Sequence, residues 1–100
     1  HVDGVGRITR VQAVPGDWRI EVCPPECLME YMTPKGSVAI DGVSLTLASV
    51  GADSFGIALI PETLERTTLG ALVAGARVNI EADSVAKTVV HWLRVYGRRG

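Results

Sequence analysis

One hundred residues and 10.6 kDa allow a single compact domain of radius roughly 13 Å, which excludes a two-domain enzyme with an internal cleft. A composition of 47% apolar and 21% charged residues, with mean hydropathy +0.24, supports a packed core and excludes a disordered or collagen-like chain. The formal net charge is -1, but the acidic excess lies before residue 87, while Lys87, Arg94, Arg98 and Arg99 make the C-terminus basic; with only 5% aromatic residues this argues against nucleic-acid binding.

The first two thirds read as short strands separated by turn residues. Residues 7–14 alternate polar and apolar until Pro15-Gly16-Asp17 breaks the run, so a hairpin into residues 18–22 is predicted. Pro24-Pro25 ends that strand, and residues 26–32 offer two helical turns before Thr33-Pro34. Residues 37–40 and 44–50 are β-rich and flank Asp41-Gly42, the strongest short hairpin signal. Residues 54–60 follow a second tight turn, Pro61 opens a short helix over residues 62–66, and residues 77–82 supply a sixth strand. Asp83 or Ser84 caps a final helix in which Val85, Val89, Trp92, Leu93 and Tyr96 recur at helical spacing. Six short, evenly spaced strands predict an all-β fold: a six-stranded antiparallel Greek-key barrel over residues 1–83, with short connecting helices and a C-terminal amphipathic helix over residues 84–100. That helix is expected either to dock on its own barrel or to serve as an oligomerisation element.

No apolar run approaches the roughly 18 residues a membrane span needs. The opening His1-Val2-Asp3-Gly4-Val5-Gly6 carries no secretory pattern and reads as cut from something longer. Cys23 and Cys27 have no second cysteine pair beside them, so no metal site is expected; they read as reduced, half-buried thiols of a cytoplasmic protein. Gly4-x-Gly6 lacks the third glycine and the following helix of a dinucleotide fingerprint.

Among polar candidates, Ser44 and Thr46 lie two apart and so share one face of a strand, where they either meet a ligand or line a solvated surface. Asp83 is at least a helix cap. His1 is either an acid or base, as a histidine can be, or simply a disordered terminal residue. Lys35 either pairs with an anion or ring carbonyl or is simply solvated.

Three blocks, KGSVAIDGVSLTL at 35–47, LIPETLERTTLG at 59–70 and GARVNIE at 75–81, together with HVDGVG at 1–6, resemble riboflavin synthase in residues, order and spacing. Members of that family carry two similar barrels followed by a helix. This chain resembles the second, because Asp41-Gly42-Val43-Ser44 stands where the first repeat tends to show Asn-Gly-Val-Cys, and Thr67-Thr68 where it tends to show Thr-Asn.

The resemblance implies a cofactor-free dismutation in which two molecules of 6,7-dimethyl-8-ribityllumazine exchange a four-carbon unit to give riboflavin and 5-amino-6-ribitylamino-uracil. Each barrel of the family holds one lumazine, and the working site lies between a first barrel and a second barrel of a neighbouring subunit, within a trimer. Carried over by motif, Ser44, Asp83, Thr46 and His1 are the implied catalytic group. Ser44, Leu45 and Thr46, the turn Ile60, Pro61, Glu62, Thr63, Leu64 and Glu65, and the junction residue Val2 are implied to bind substrate, with Lys35 reaching ligand in the partner barrel. The alternative is a non-catalytic lumazine or flavin carrier built on the same barrel.

Overall fold

The computed structural model describes residues 1–97; Arg98 and Arg99, which the sequence assigns to the C-terminal helix, lie outside the described residues. Six strands, β1 (Gly4–Val14), β2 (Asp17–Cys23), β3 (Ser37–Ile40), β4 (Val43–Val50), β5 (Phe55–Leu59) and β6 (Arg77–Ala82), close into a barrel in the order β1-β2-β5-β4-β3-β6. Every neighbouring pair is antiparallel. Closure pairs Gly4–Arg7 with β6, which is why β1 begins three residues before the alternating pattern suggests. Two α-helices, α1 (Pro61–Arg66) and α2 (Ser84–Tyr96), follow β5 and β6. Residues 26–31 form a 3-10 helix rather than α-helical turns, with Met32 N–H donating to the Met29 carbonyl.

The tight turn at Asp41 and Gly42 uses positive φ at both positions, 47° and 80°, as a two-residue hairpin loop with right-handed strand twist requires. It fixes the β3–β4 register: Ile40 opposite Val43, Ala39 opposite Ser44, Ser37 opposite Thr46. The period of two then sends Leu45 and Leu47 inward and Ser44 and Thr46 outward. Ile8, Ile20, Val22, Val38, Ile40, Phe55, Ile57 and Ile80 fill the interior, each burial being worth about 1.5–3 kcal/mol. Gly6 is needed where β1 crosses its neighbours: a Cβ there would strike the Ile80 side chain and lie 3.1 Å from the Cys23 carbonyl oxygen.

Helix α2 does not lie on its own barrel. It buries no residue, and Val85, Val89, Trp92, Leu93 and Tyr96 are all exposed, with the Trp92 and Tyr96 rings stacked on each other at 4.2 Å. Of the two alternatives for this helix, docking of its apolar stripe on the barrel is not seen: those five side chains stay exposed, while Ala86, Lys87 and Val90 are half-buried, Lys87 pairs with Asp3 and Arg94 pairs with Glu30 of the 3-10 helix. The projecting helix accounts for a radius of gyration of 14.1 Å and extents of 49 × 24 × 23 Å. A second correction concerns the thiols: both are free, but Cys27 is exposed and only Cys23 is half-buried. Among the described residues no helix is long and apolar enough to cross a membrane, and no cluster of His, Cys, Asp and Glu could hold a metal ion.

Candidate functional site

On the outer face of the barrel, β4, β3 and β6 present a row of side chains set by register: Ser44, then Ala39, then Glu81. Ala39 carries only a methyl group, so the row is hollow at its centre. The result is a concavity of about 210 Å³ lined by Ser37, Ala39, Ser44, Glu81, Asp83 and Ser84, among others. Strands β3 and β4 bring the hydroxyl because the Asp41-Gly42 turn aligns them; the end of β6 brings the carboxylate because the chain leaves the barrel there to begin α2.

Asp83 caps α2. Its Oδ2 accepts the Ala86 N–H at 3.1 Å and its carbonyl accepts the Lys87 N–H at 3.0 Å, so the carboxylate is held by the first helical turn. One oxygen is thus committed to the cap, whereas Oδ1 has no hydrogen-bond partner among the described residues. The Ser44 hydroxyl has none either. An outward hydroxyl and a half-committed carboxylate in one hollow can bind polar ligand atoms and pass a proton.

The N-terminal segment lies beside Glu81. His1 Nε2 is 3.4 Å from Asp3 Oδ1, and the terminal ammonium is 3.9 Å from Glu81 Oε2. Asp3, which the sequence reading passed over, is the best-held charge in this region: Oδ2 accepts the Ala82 N–H at 2.8 Å, Oδ1 meets Lys87 Nζ at 2.7 Å, and its side chain is 13% exposed. The Lys87 ammonium, helped by the Ala82 N–H, lowers the Asp3 carboxyl below its ordinary value against an opposing desolvation cost.

The remaining candidates are distributed around β4. Thr46 points outward one step along from Ser44, opposite Ser37, but does not line the hollow. Leu45 is 8% exposed and faces the core, so only its backbone is available to a ligand on this face. Ile60, Pro61, Glu62, Thr63, Leu64 and Glu65 form the start of α1, which follows β5, the strand on the other side of β4. Ile60 is 58% exposed, while Leu64 is tucked against the core and the Thr63 carbonyl accepts from the Thr67 hydroxyl at 2.7 Å. Val2 is exposed on the N-terminal segment. Lys35 is exposed and adopts a left-handed backbone, φ 68°, with its N–H on the Leu47 carbonyl. Ser37, Ala39 and Glu81 also line the hollow and are not among the sequence candidates, although the Asp41-Gly42 turn alone pairs Ser37 and Ala39 with Thr46 and Ser44.

The lumazine binding domain family model matches residues 1–83. Riboflavin synthase of Mycobacterium tuberculosis (strain ATCC 25618 / H37Rv) is 44% identical over 97% of this chain and 50% of its own length. Riboflavin synthase of Chlamydia pneumoniae is 57% identical over 63% of this chain and 32% of its own. The chain thus spans half or less of these curated relatives. Among solved structures, LumP complexed with 6,7-dimethyl-8-(1'-D-ribityl) lumazine superposes with a TM-score of 0.76 at 24% identity, over 82% of this chain and 45% of that one, a likeness of fold.

Proposed function

The chain belongs to the lumazine-binding domain family, and on that premise we propose that it is the second barrel of a riboflavin synthase, acting with a first barrel from a neighbouring subunit. The observation that carries this reading is the shared hollow of Ser44 and Asp83, two groups with unused hydrogen-bonding capacity brought together from β4 and the end of β6. In this reading a flat pteridine lies over Ala39, whose methyl group leaves the hollow open between Ser44 and Glu81.

The reaction joins two copies of 6,7-dimethyl-8-ribityllumazine, so its first demand is geometric: two rings held face to face in near-attack separation. This barrel holds one ring on its outer face and the first barrel presents the other. Asp83, kept rigid by the Ala86 N–H on Oδ2, uses Oδ1 to take up or relay a proton from the reacting C7 methyl group, while the Ser44 hydroxyl donates to the ring at the developing charge. Thr46 and the backbone of Ile60–Glu65 hold the ligand from the β5 side, His1 and Val2 close the rim, and Lys35 reaches the partner barrel's ligand. No cofactor takes part. The exposed stripe of Val85, Val89, Trp92, Leu93 and Tyr96 serves assembly of the subunits, because an uncovered helix face of that size favours burial against a copy of itself. Two free thiols suit a reducing, cytoplasmic setting.

A second reading is favoured by the resemblance to LumP in complex with 6,7-dimethyl-8-(1'-D-ribityl) lumazine: a carrier that binds the same ligand and does no chemistry. Fluorescence titration of the chain with 6,7-dimethyl-8-ribityllumazine, with riboflavin followed before and after a complementary first barrel is added, separates the two. Sustained riboflavin release after addition supports the synthase reading; saturable binding with no product in either stage supports the carrier, and absence of binding throughout removes both.

A further inference from the structure

Lys87 stands in the first turns of α2, four residues after Asp83, the helix's extended N-cap, and the two side chains form no ion pair. Lys87 Nζ is instead 2.7 Å from Oδ1 of Asp3, a residue from the other end of the chain, and Asp83 keeps Oδ1 without a hydrogen-bond partner among the described residues. Asp3 is itself fixed by its Oδ2 on the Ala82 N–H, the residue immediately before Asp83, and by its own N–H on the Ile80 carbonyl at 2.9 Å.

We propose that Asp3 is a positioning residue that holds the Lys87 ammonium away from Asp83, so that the Asp83 carboxylate stays available to the ligand. The inference rests on the reading of Asp83 as the proton-handling group of the hollow. Three features support it. Asp3 outcompetes Asp83 for the cation because it is already oriented by backbone contacts and is mostly withdrawn from solvent, at 13% exposure, where an ion pair is less screened. The backbone of Lys87 is tied to Asp83, since the Lys87 N–H donates to the Asp83 carbonyl, while its ammonium meets an Asp3 whose other carboxylate oxygen accepts from Ala82, the neighbour of Asp83. The other charges in the neighbourhood are Glu81 on β6 and His1 with the terminal ammonium on the N-terminal segment; β3 and β4 contribute only the neutral Ser37, Ala39 and Ser44 to the hollow.

The arrangement makes a prediction about pairs of substitutions that a purely structural contact does not. Asp3→Asn frees the ammonium to close onto Asp83, and kcat with the complementary barrel is expected to fall by about tenfold while KM changes by less than about twofold, the pattern of a lost transition-state interaction. Adding Lys87→Met to Asp3→Asn removes the ammonium altogether and is expected to restore kcat to within about twofold of the unsubstituted chain, whereas Lys87→Arg in the same background is expected to leave it low. A crystal structure of Asp3→Asn provides a readout independent of turnover: Lys87 Nζ is expected within hydrogen-bond distance of the Asp83 carboxylate. The proposal is overturned if Lys87 stays where it is in that structure, or if Asp3→Asn/Lys87→Met is no faster than Asp3→Asn. Should Asp83→Asn retain full turnover, the reading of Asp83 falls instead, and the crystal structure still decides where the ammonium goes.

Discussion

Ser44 stands directly opposite Ala39 across the β3–β4 hairpin, and the methyl group there leaves the hydroxyl reachable from solvent. A larger outward side chain at that register position fills the hollow without touching the core. Ala39→Leu is therefore expected to leave the unfolding midpoint close to its original value and to weaken lumazine binding by about tenfold or more, about 1.4 kcal/mol, in a fluorescence titration. Unchanged affinity would mean the ligand lies elsewhere.

Asp83 has two separable duties, capping α2 and serving the hollow. Asparagine caps as well as aspartate, so Asp83→Asn isolates the carboxylate: stability should hold while turnover with a complementary barrel falls about 100-fold, the low end for a general acid-base group. Asp83→Ala should lose the same activity and also about 1 kcal/mol of stability by urea unfolding, because the Ala86 N–H loses its acceptor. Both variants unfolding early yet turning over normally per folded molecule would reduce Asp83 to a cap.

Acid should weaken the fold through Asp3. Its carboxyl is lowered from the ordinary 3.8, chiefly by the hydrogen bond from Lys87, so the folded state binds the proton less readily than the unfolded chain. The stabilisation is fully present above 3.8 and is lost as pH falls through the lower folded value. Urea midpoints measured across that acid range should decline less steeply for Asp3→Asn than for the unsubstituted chain; parallel curves would contradict the assignment.

Lys35 occupies a left-handed conformation, φ 68°, that costs a residue with a Cβ about 1 kcal/mol and costs glycine almost nothing. Lys35→Gly is expected to raise the unfolding free energy by about that amount. If the side chain serves the partner barrel's ligand, the same variant should bind lumazine normally in isolation and turn over more slowly in the pair. A stabilised variant with full paired turnover would leave Lys35 with no part in the reaction.

Local chemistry made much of this architecture legible. A two-residue Asp41-Gly42 turn fixes which residues oppose each other, so the outward pairing of Ser44 with Ala39 follows from sequence once the hairpin is accepted. The Asp83 cap was equally readable, as an acid between a strand and an amphipathic helix. What escaped depends on barrel closure. Asp3 and Ala82 are separated by 79 positions, and their 2.8 Å contact exists only because β1 and β6 pair in one register out of several that their alternation allows. Helix α2 shows a different limit: its periodicity declares an apolar face at Val85, Val89, Trp92, Leu93 and Tyr96, but periodicity does not say what covers that face, and the barrel beside it does not. Lys35 could not have been foreseen in a left-handed turn, since that conformation carries no signal unless glycine or asparagine occupies it.

The central claim is that the ligand sits on the outer face formed by β3, β4 and the start of α2. Backbone amide shifts recorded while the chain is titrated with 6,7-dimethyl-8-ribityllumazine test it directly. The account predicts that the largest changes fall on Ser37, Ala39, Ser44, Thr46, Glu81 and Asp83, with smaller ones along Ile60–Glu65. Changes confined instead to the separate cavity between β1, β2 and β5, lined by Arg10, Arg19 and Gly56, would contradict it.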